Sequence, residues 1–144
     1  MAMVDLARHD QDCPVRICEI AERQEISPSY LEQLFAKLRR GGLVESARGP
    51  GGGYKLVRSA AETRVSDIFV AVGEPIEATR CNKGSAKGCT KSTARCLTHD
   101  LWDELGNQIY LFLNSVTLED ILDQRVLGMS GMRHRENDAH LAAQ

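Results

Sequence analysis

Between Cys81 and His99 the chain reads Cys81-x7-Cys89-x6-Cys96-x2-His99, which gathers three of its five cysteines and a histidine. Thiolates and imidazole are the ligand types that zinc and iron–sulfur clusters select, and three sulfurs with one nitrogen complete a four-donor set. Apolar contacts cannot fold this stretch. Gly84 and Gly88 break any helical or strand period, and Lys83, Lys87 and Lys91 stand between Arg80 and Arg95 without a single acid. A metal or an iron–sulfur centre is therefore expected, and by donor chemistry zinc and iron–sulfur are equally suited. A Cys96–His99 nucleophile is the weaker reading, because no orienting group or set of oxyanion donors accompanies the pair.

The second chemistry is that of phosphate. The chain as a whole is balanced, 18 basic against 20 acidic residues for a net charge of -2, so total charge is silent about nucleic acid. From Ser27 to Arg58, however, Lys37, Arg39, Arg40, Arg48, Lys55 and Arg58 face only Glu32 and Glu45. That local surplus is where a polyanion could be met. At 144 residues and 15.9 kDa the chain suits one domain with an appended element and excludes a large multidomain enzyme. No apolar run approaches the roughly 20 residues that span a bilayer, and no secretory signal opens the chain, so no membrane partner and a cytoplasmic location are expected. In that compartment an odd number of cysteines reads as ligands or thiols rather than as a disulfide framework. Cys13 and Cys18, distant from the cluster, are expected as small buried or semi-buried residues.

Both chemistries need scaffolding, and hydrophobic periodicity supplies it. Met3, Leu6 and Ala7 look like the end of a helix. Ile17, Ile20 and Ala21 form an i, i+3, i+4 stripe, which predicts a short helix from about Arg16 to Gln24. Ser27 stands as an N-cap before Pro28, with Ile26 and Leu31 placed as a hydrophobic staple. The helix that follows buries Leu31, Leu34, Phe35 and Leu38, and Gly41-Gly42 ends it. Ser29, Glu32, Gln33, Ala36, Lys37 and Arg40 then face outward, the pattern of a helix-turn-helix with a polar and basic recognition face. Glu32 repels phosphate but can accept from a cytosine amino group.

Two strand-like runs, Leu43 to Ser46 and Tyr54 to Val57, flank a glycine-rich tip that includes Arg48, Gly49, Gly51, Gly52 and Gly53. The tip is expected to serve no packing purpose and to permit close backbone approach to a ligand, with Arg48 at its base for phosphate or a minor groove. Helix-turn-helix followed by such a hairpin is a winged helix. Val65, Ile68, Phe69 and Val72 predict a further helix that Gly73 and Pro75 stop. From about Thr98 to Ser115 runs the strongest helix, apolar at Leu101, Trp102, Leu105, Ile109, Phe112 and Leu113. Its broad stripe exceeds what one domain covers, so it is expected to pack on a second subunit as well. Thr117 caps a last helix, and 128–144 is expected to be disordered. The fold class is thus mainly α with a small β-hairpin wing. Its expected parts are a winged-helix domain over 1–75, a cluster loop over 76–99 and dimerisation helices over 100–127.

The strings ISPSYLEQLFAKLRRGGLVESARGPGGGYKL, GEPIEATRC and CLTHDLWDEL resemble the Rrf2 family of bacterial transcription regulators, and in particular its cluster-binding branch. The resemblance covers nearly the whole chain. It implies a homodimeric regulator, not an enzyme, acting as repressor or activator on double-stranded DNA. It implies that Cys81, Cys89, Cys96 and His99 ligate a [2Fe-2S] cluster, for which iron–sulfur assembly machinery is the source, with zinc as the alternative cofactor. It also implies a DNA-binding set of Ser27, Ser29, Tyr30, Glu32, Gln33, Lys37 and Arg40 on the recognition helix, with Arg48, Gly49, Gly51, Gly52, Gly53 and Tyr54 in the wing. Leu101, Trp102, Leu105, Ile109, Phe112 and Leu113 would form the dimer interface. Cluster ligation is then expected to order the loop and shift the spacing of two winged helices. The alternatives are a winged-helix protein with a structural zinc, or a protein–protein adaptor that has lost DNA binding. Three departures from the family are visible. The cysteine spacing is longer than the x5 and x5 of the cluster-binding branch. The family's basic opening to the first helix is absent, so the chain is expected to begin inside that helix. Glu25 stands where the family has glycine in the helix-turn-helix turn, which costs of order 1 kcal/mol if that position takes positive φ.

Overall fold

The computed structural model describes residues 1–10, 13–74 and 96–126. In chain order these form α1 (Ala2–His9), α2 (Ile17–Gln24), α3 (Pro28–Arg40), β1 (Val44–Ala47), β2 (Gly53–Leu56), α4 (Val65–Val72), α5 (His99–Ser115) and α6 (Leu118–Leu122). Each lies within a residue or so of the span its periodicity predicts. Cys81, Cys89, Pro75 and the 128–144 tail lie outside the described residues.

The core is built where the apolar stripes converge. Met3 and Leu6 of α1, Ile20 and Ala21 of α2, and Leu31, Phe35 and Leu38 of α3 are buried in one cluster with Leu43, Val44 and, from α6, Leu118. The short first helix is therefore a full packing partner. It is also tied down electrostatically: Arg23 forks onto the buried Asp5 carboxylate, Nε to Oδ1 at 3.0 Å and Nη2 to Oδ2 at 2.7 Å, and Gln24 donates to Oδ1 at 3.2 Å. Burial alone would raise the Asp5 pKa, but the hydrogen bonds and charge of Arg23, with help from Gln24, hold it below its ordinary value.

Three helices end in the same way. The N–H groups of Glu25 and Ile26 reach back to the Glu22 and Ala21 carbonyls. Gly42 and Leu43 reach Arg39 and Leu38, and Gly73 and Glu74 reach Val70 and Phe69. Each is a Schellman motif, which needs its pivot residue in the left-handed region, and the pivots have φ of 52° at Glu25 and 71° at both glycines. The cost anticipated for Glu25 is thus present in the fold.

β1 and β2 pair antiparallel, Val44 opposite Leu56 through Ala47 opposite Gly53. Val15 adds a single-residue rung on the other side of β2, exchanging N–H to carbonyl bonds with Tyr54 at 2.9 and 2.8 Å. On the C-terminal side, the Val65 N–H donates to the Val116 carbonyl and the Leu118 N–H to that of Thr63, both at 3.0 Å, so the junction between α5 and α6 is laced to the turn before α4. Thr117 forms the expected cap, in a reciprocal box with Asp120.

Two expectations change. Cys13 and Cys18 are exposed rather than buried. Cys18 sits in the first turn of α2 while Ile20 and Ala21 of the same helix face the core, and Cys13 precedes the Val15 rung. Phe69 and Val70 of α4 stay at the surface, and α4 meets the core through Ile68, Ala71 and Val72 instead.

Candidate nucleic-acid interface and metal centre

The recognition helix follows α2 after a three-residue turn, and what aims it is the pivot at Glu25 and the apolar anchor behind it. Leu31 and Phe35 are fully buried, which turns Ser29, Tyr30, Glu32, Gln33 and Arg40 outward, all exposed. Ser27 occupies the N-cap position, yet its hydroxyl does not cap the helix. It meets the Ser29 hydroxyl at 2.9 Å instead. The first turn of α3 thus presents two hydroxyls beside backbone N–H groups with no intrahelical partner, a favourable place for a phosphate oxygen. The basic residues divide. Lys37 donates to the Val72 carbonyl at 2.9 Å, completing the C-terminal end of α4, and Arg39 reaches the Ser46 hydroxyl at 3.3 Å. Arg40 and Arg48 have no ion-pair or side-chain hydrogen-bond partner among the described residues.

The wing is fixed to the same helix. The Tyr54 ring stands edge-on to the buried Phe35, centroids 4.9 Å apart with the planes at 68°. Its glycines prove to have a packing purpose, contrary to expectation. A Cβ on Gly53 would lie 2.5 Å from the Val15 carbonyl oxygen, and one on Gly52 would lie 2.6 Å from that of Ala47. The rung made by Val15 needs the first and the tight tip needs the second. Gly49 and Gly51 have open space around them, so they are the tip positions left for close approach to a ligand.

Of the four candidate metal ligands, Cys96 and His99 lie among the described residues. They sit one helical turn apart at the start of α5, joined by a bond from the His99 N–H to the Cys96 carbonyl at 3.1 Å. The Cys96 sulfur is 3.7 Å from the Thr98 hydroxyl, which also accepts from Trp102 Nε1 at 3.2 Å. Cys96 thus lies just before the N-terminus of α5 and His99 in its first turn. That chemistry fits a thiolate and imidazole pair supplied to a metal or cluster. Among the described residues no group of three or more such donors comes together, as follows from Cys81 and Cys89 being outside them.

α5 itself packs on α4 through its less apolar side. His99 and Gly106 are buried, and Asn114 Oδ1 accepts from the buried Ser66 hydroxyl of α4 at 3.0 Å. Much of the apolar stripe is left outward: Leu101 is 63% exposed, Leu105 40% and Phe112 42%, whereas Ile109 and Leu113 are half-buried. No helix among the described residues is long and apolar enough to cross a membrane.

A family model for Rrf2, described as an iron-dependent transcriptional regulator, matches residues 1–124. The HTH-type transcriptional regulator IscR of Photorhabdus laumondii is 48% identical over 142 residues, 98% of this chain and 84% of that protein. A putative HTH-type transcriptional regulator of Azotobacter vinelandii is 53% identical over 121 residues, 84% of this chain and 72% of its own length. Among solved structures, IscR of T. potens superposes with a TM-score of 0.67 at 37% identity, covering 86% of this chain and 80% of the other. CymR, the global cysteine regulator of B. subtilis, gives 0.68 at 30% identity, covering 85% and 88%.

Proposed function

Because this chain belongs to the Rrf2 family and is a DNA-binding transcription regulator of the IscR type, we propose that it acts as a homodimer carrying an iron–sulfur centre on Cys81, Cys89, Cys96 and His99. The observation that carries the proposal is the outward apolar stripe of α5, the helix that begins at His99 just after Cys96. A helix that uses its polar side for its own domain and leaves leucines and phenylalanine to water needs a cover, and a second copy of α5 offers the same stripe in return. His99 and the proposed dimer surface then share one helix, so that what happens at the start of α5 is felt by the subunit arrangement.

Recognition follows from the outward faces. Ser27 and Ser29 meet phosphate at the start of α3, Glu32 and Gln33 face base edges, and Arg48 with Gly49 and Gly51 brings the wing tip to the backbone or minor groove. Arg40 adds a charge at the far end, while Lys37 serves α4 as much as DNA. When bound, a [2Fe-2S] cluster supplies a redox- and iron-dependent occupancy to the site. Cys96 would contribute a sulfur donor and His99 a nitrogen donor to that centre.

The test is anaerobic purification with an absorbance spectrum and iron, sulfide and zinc counts, followed by DNA affinity for the Cys→Ala variants at 81, 89 and 96. Iron and sulfide in equal number, with affinity or site preference altered in all three variants, is the expected result. A colourless protein holding zinc, or affinities unchanged across the set, would overturn the sensor assignment.

A further inference from the structure

Arg58 and Arg64 flank the tight turn between β2 and α4 and line a cavity of about 600 Å3, whose other wall is Asn114, Ser115 and Thr117 at the junction of α5 and α6. That volume is within the roughly 300–1,000 Å3 range of small-molecule sites. Its donors can be counted. Ser115 gives its hydroxyl proton to the Phe112 carbonyl at 2.8 Å and Thr117 gives its own to Asp120 at 2.7 Å, so neither has a proton for a ligand. Asn114 differs: its oxygen is engaged by the buried Ser66 hydroxyl, which leaves the NH2 end as a donor. The Arg64 guanidinium has no partner among the described residues, and Arg58 pairs only loosely with Asp67, at 3.5 Å. Glu62 is the one carboxylate in the lining. It already accepts from the Ser59 N–H and hydroxyl at 3.3 and 2.7 Å, and Asp67 lies beside Arg58, so the Arg64 guanidinium is the charge in the lining left to meet an anion.

We propose that this cavity binds an oxyanion, the phosphate or carboxylate group of a free small molecule, held by Arg58, Arg64 and the Asn114 amide. Guanidinium pairs with such groups through parallel N–H bonds, and the amide adds a donor from the opposite wall. A free ligand fits better than the DNA backbone because the cavity lies at the seam with the C-terminal helices, and Asn114, Ser115 and Thr117 of its wall come from there while none comes from α3 or the wing tip. Occupancy would cross-link the exit of β2 to the end of α5, joining the base of the wing to the proposed dimer helix.

The experiment is a titration of inorganic phosphate into the full chain without DNA, at ionic strength held constant with chloride, followed through amide chemical shifts. Saturable shifts confined to 58–64 and 114–117, weakened at least tenfold in Arg64→Gln and in Asn114→Asp, are expected. Asn114→Asp keeps the acceptor that Ser66 needs and replaces only the donor, so it tests the site even if Arg64→Gln perturbs the turn. No saturable shift, or shifts that persist in both variants, overturns the proposal. So does a third outcome, in which phosphate does not bind but Arg64→Gln lowers duplex affinity and reduces the salt slope by about one, since that assigns the arginine to the DNA backbone.

Discussion

Glu25 is the residue at which this chain departs from good local chemistry while keeping the fold. It pivots the turn between α2 and α3 at φ 52°, where two equivalent turns in the same molecule use glycine at 71°. A side chain in that conformation costs of order 1 kcal/mol, and the fold accepts it because Ile26 and Leu31 anchor the entry to α3. Glu25→Gly should therefore stabilise the protein by about 1 kcal/mol, read as a rise in the urea midpoint at unchanged slope, with DNA affinity held within about twofold. A lower midpoint would mean that the carboxylate has a role in the turn. Gly53 gives the opposite case. Gly53→Ala puts a carbon 2.5 Å from a backbone oxygen that cannot swing aside, so the Val15 rung must break or shift. A loss of roughly 2–3 kcal/mol is expected, together with weaker DNA binding, and an unchanged melting curve would remove the rung from the account of the wing. The departure at Glu25 was legible in the sequence, as was the need for glycine in the wing. The reason for glycine at 53 was not. Its partner strand is a single residue after a proline, too short to carry any period, and only the rung itself shows that the glycine is required by packing. The exposure of Cys18 was hidden for a related reason: an eight-residue helix has too few turns to say which side a borderline residue takes.

At the level of elements, the helices and the hairpin were readable because each carries its own stripe, cap or glycine stop, and these signals are local. What each stripe faces is not local. The α5 stripe was visible as apolar, but that α5 would turn Asn114 toward α4 and leave leucines outward depends on the fit of Ser66 to Asn114 across 48 residues of sequence. The same limit hid the role of α6, which was expected among the dimerisation helices of 100–127 and whose Leu118 is fully buried in the core of the winged unit. For α5 the consequence can be measured. Leu105→Glu places a charge in the middle of the proposed interface without touching the side that packs on α4, so the monomer should keep its fold while the dimer dissociates. Sedimentation should report a shift from dimer to monomer, and affinity for a two-half-site duplex should fall at least tenfold, because one winged helix then binds alone. A variant that sediments as the parent does would place the interface elsewhere.

Taken as a whole, the molecule is held at its two chain-distant corners by carboxylates whose charge the fold favours. Asp5 fastens α1 to α2 through Arg23, and Asp120 closes the α6 cap. The Thr117 hydroxyl and backbone N–H, with Arg125, bring the Asp120 pKa down to about 2, and Asp5 is also below its ordinary value. An unfolded aspartate titrates near pH 4. Between that value and the folded pKa the unfolded chain binds more protons than the native one, so stability increases with pH there. The stabilisation from both groups is thus fully present above about pH 4, and it is lost as pH falls through the folded values, toward about 2 for Asp120. A pH series of urea midpoints should consequently be flat with respect to these two groups near neutrality and fall steeply between about pH 4 and 2. Asp5→Asn and Asp120→Asn should each lower the midpoint at neutral pH and flatten the acid limb, because the neutral amide keeps the shape but has no charge to lose. The double variant should lower the midpoint further than either single variant. An acid limb as steep in the double variant as in the parent would locate the acid sensitivity in other carboxylates and reduce both corners to geometry.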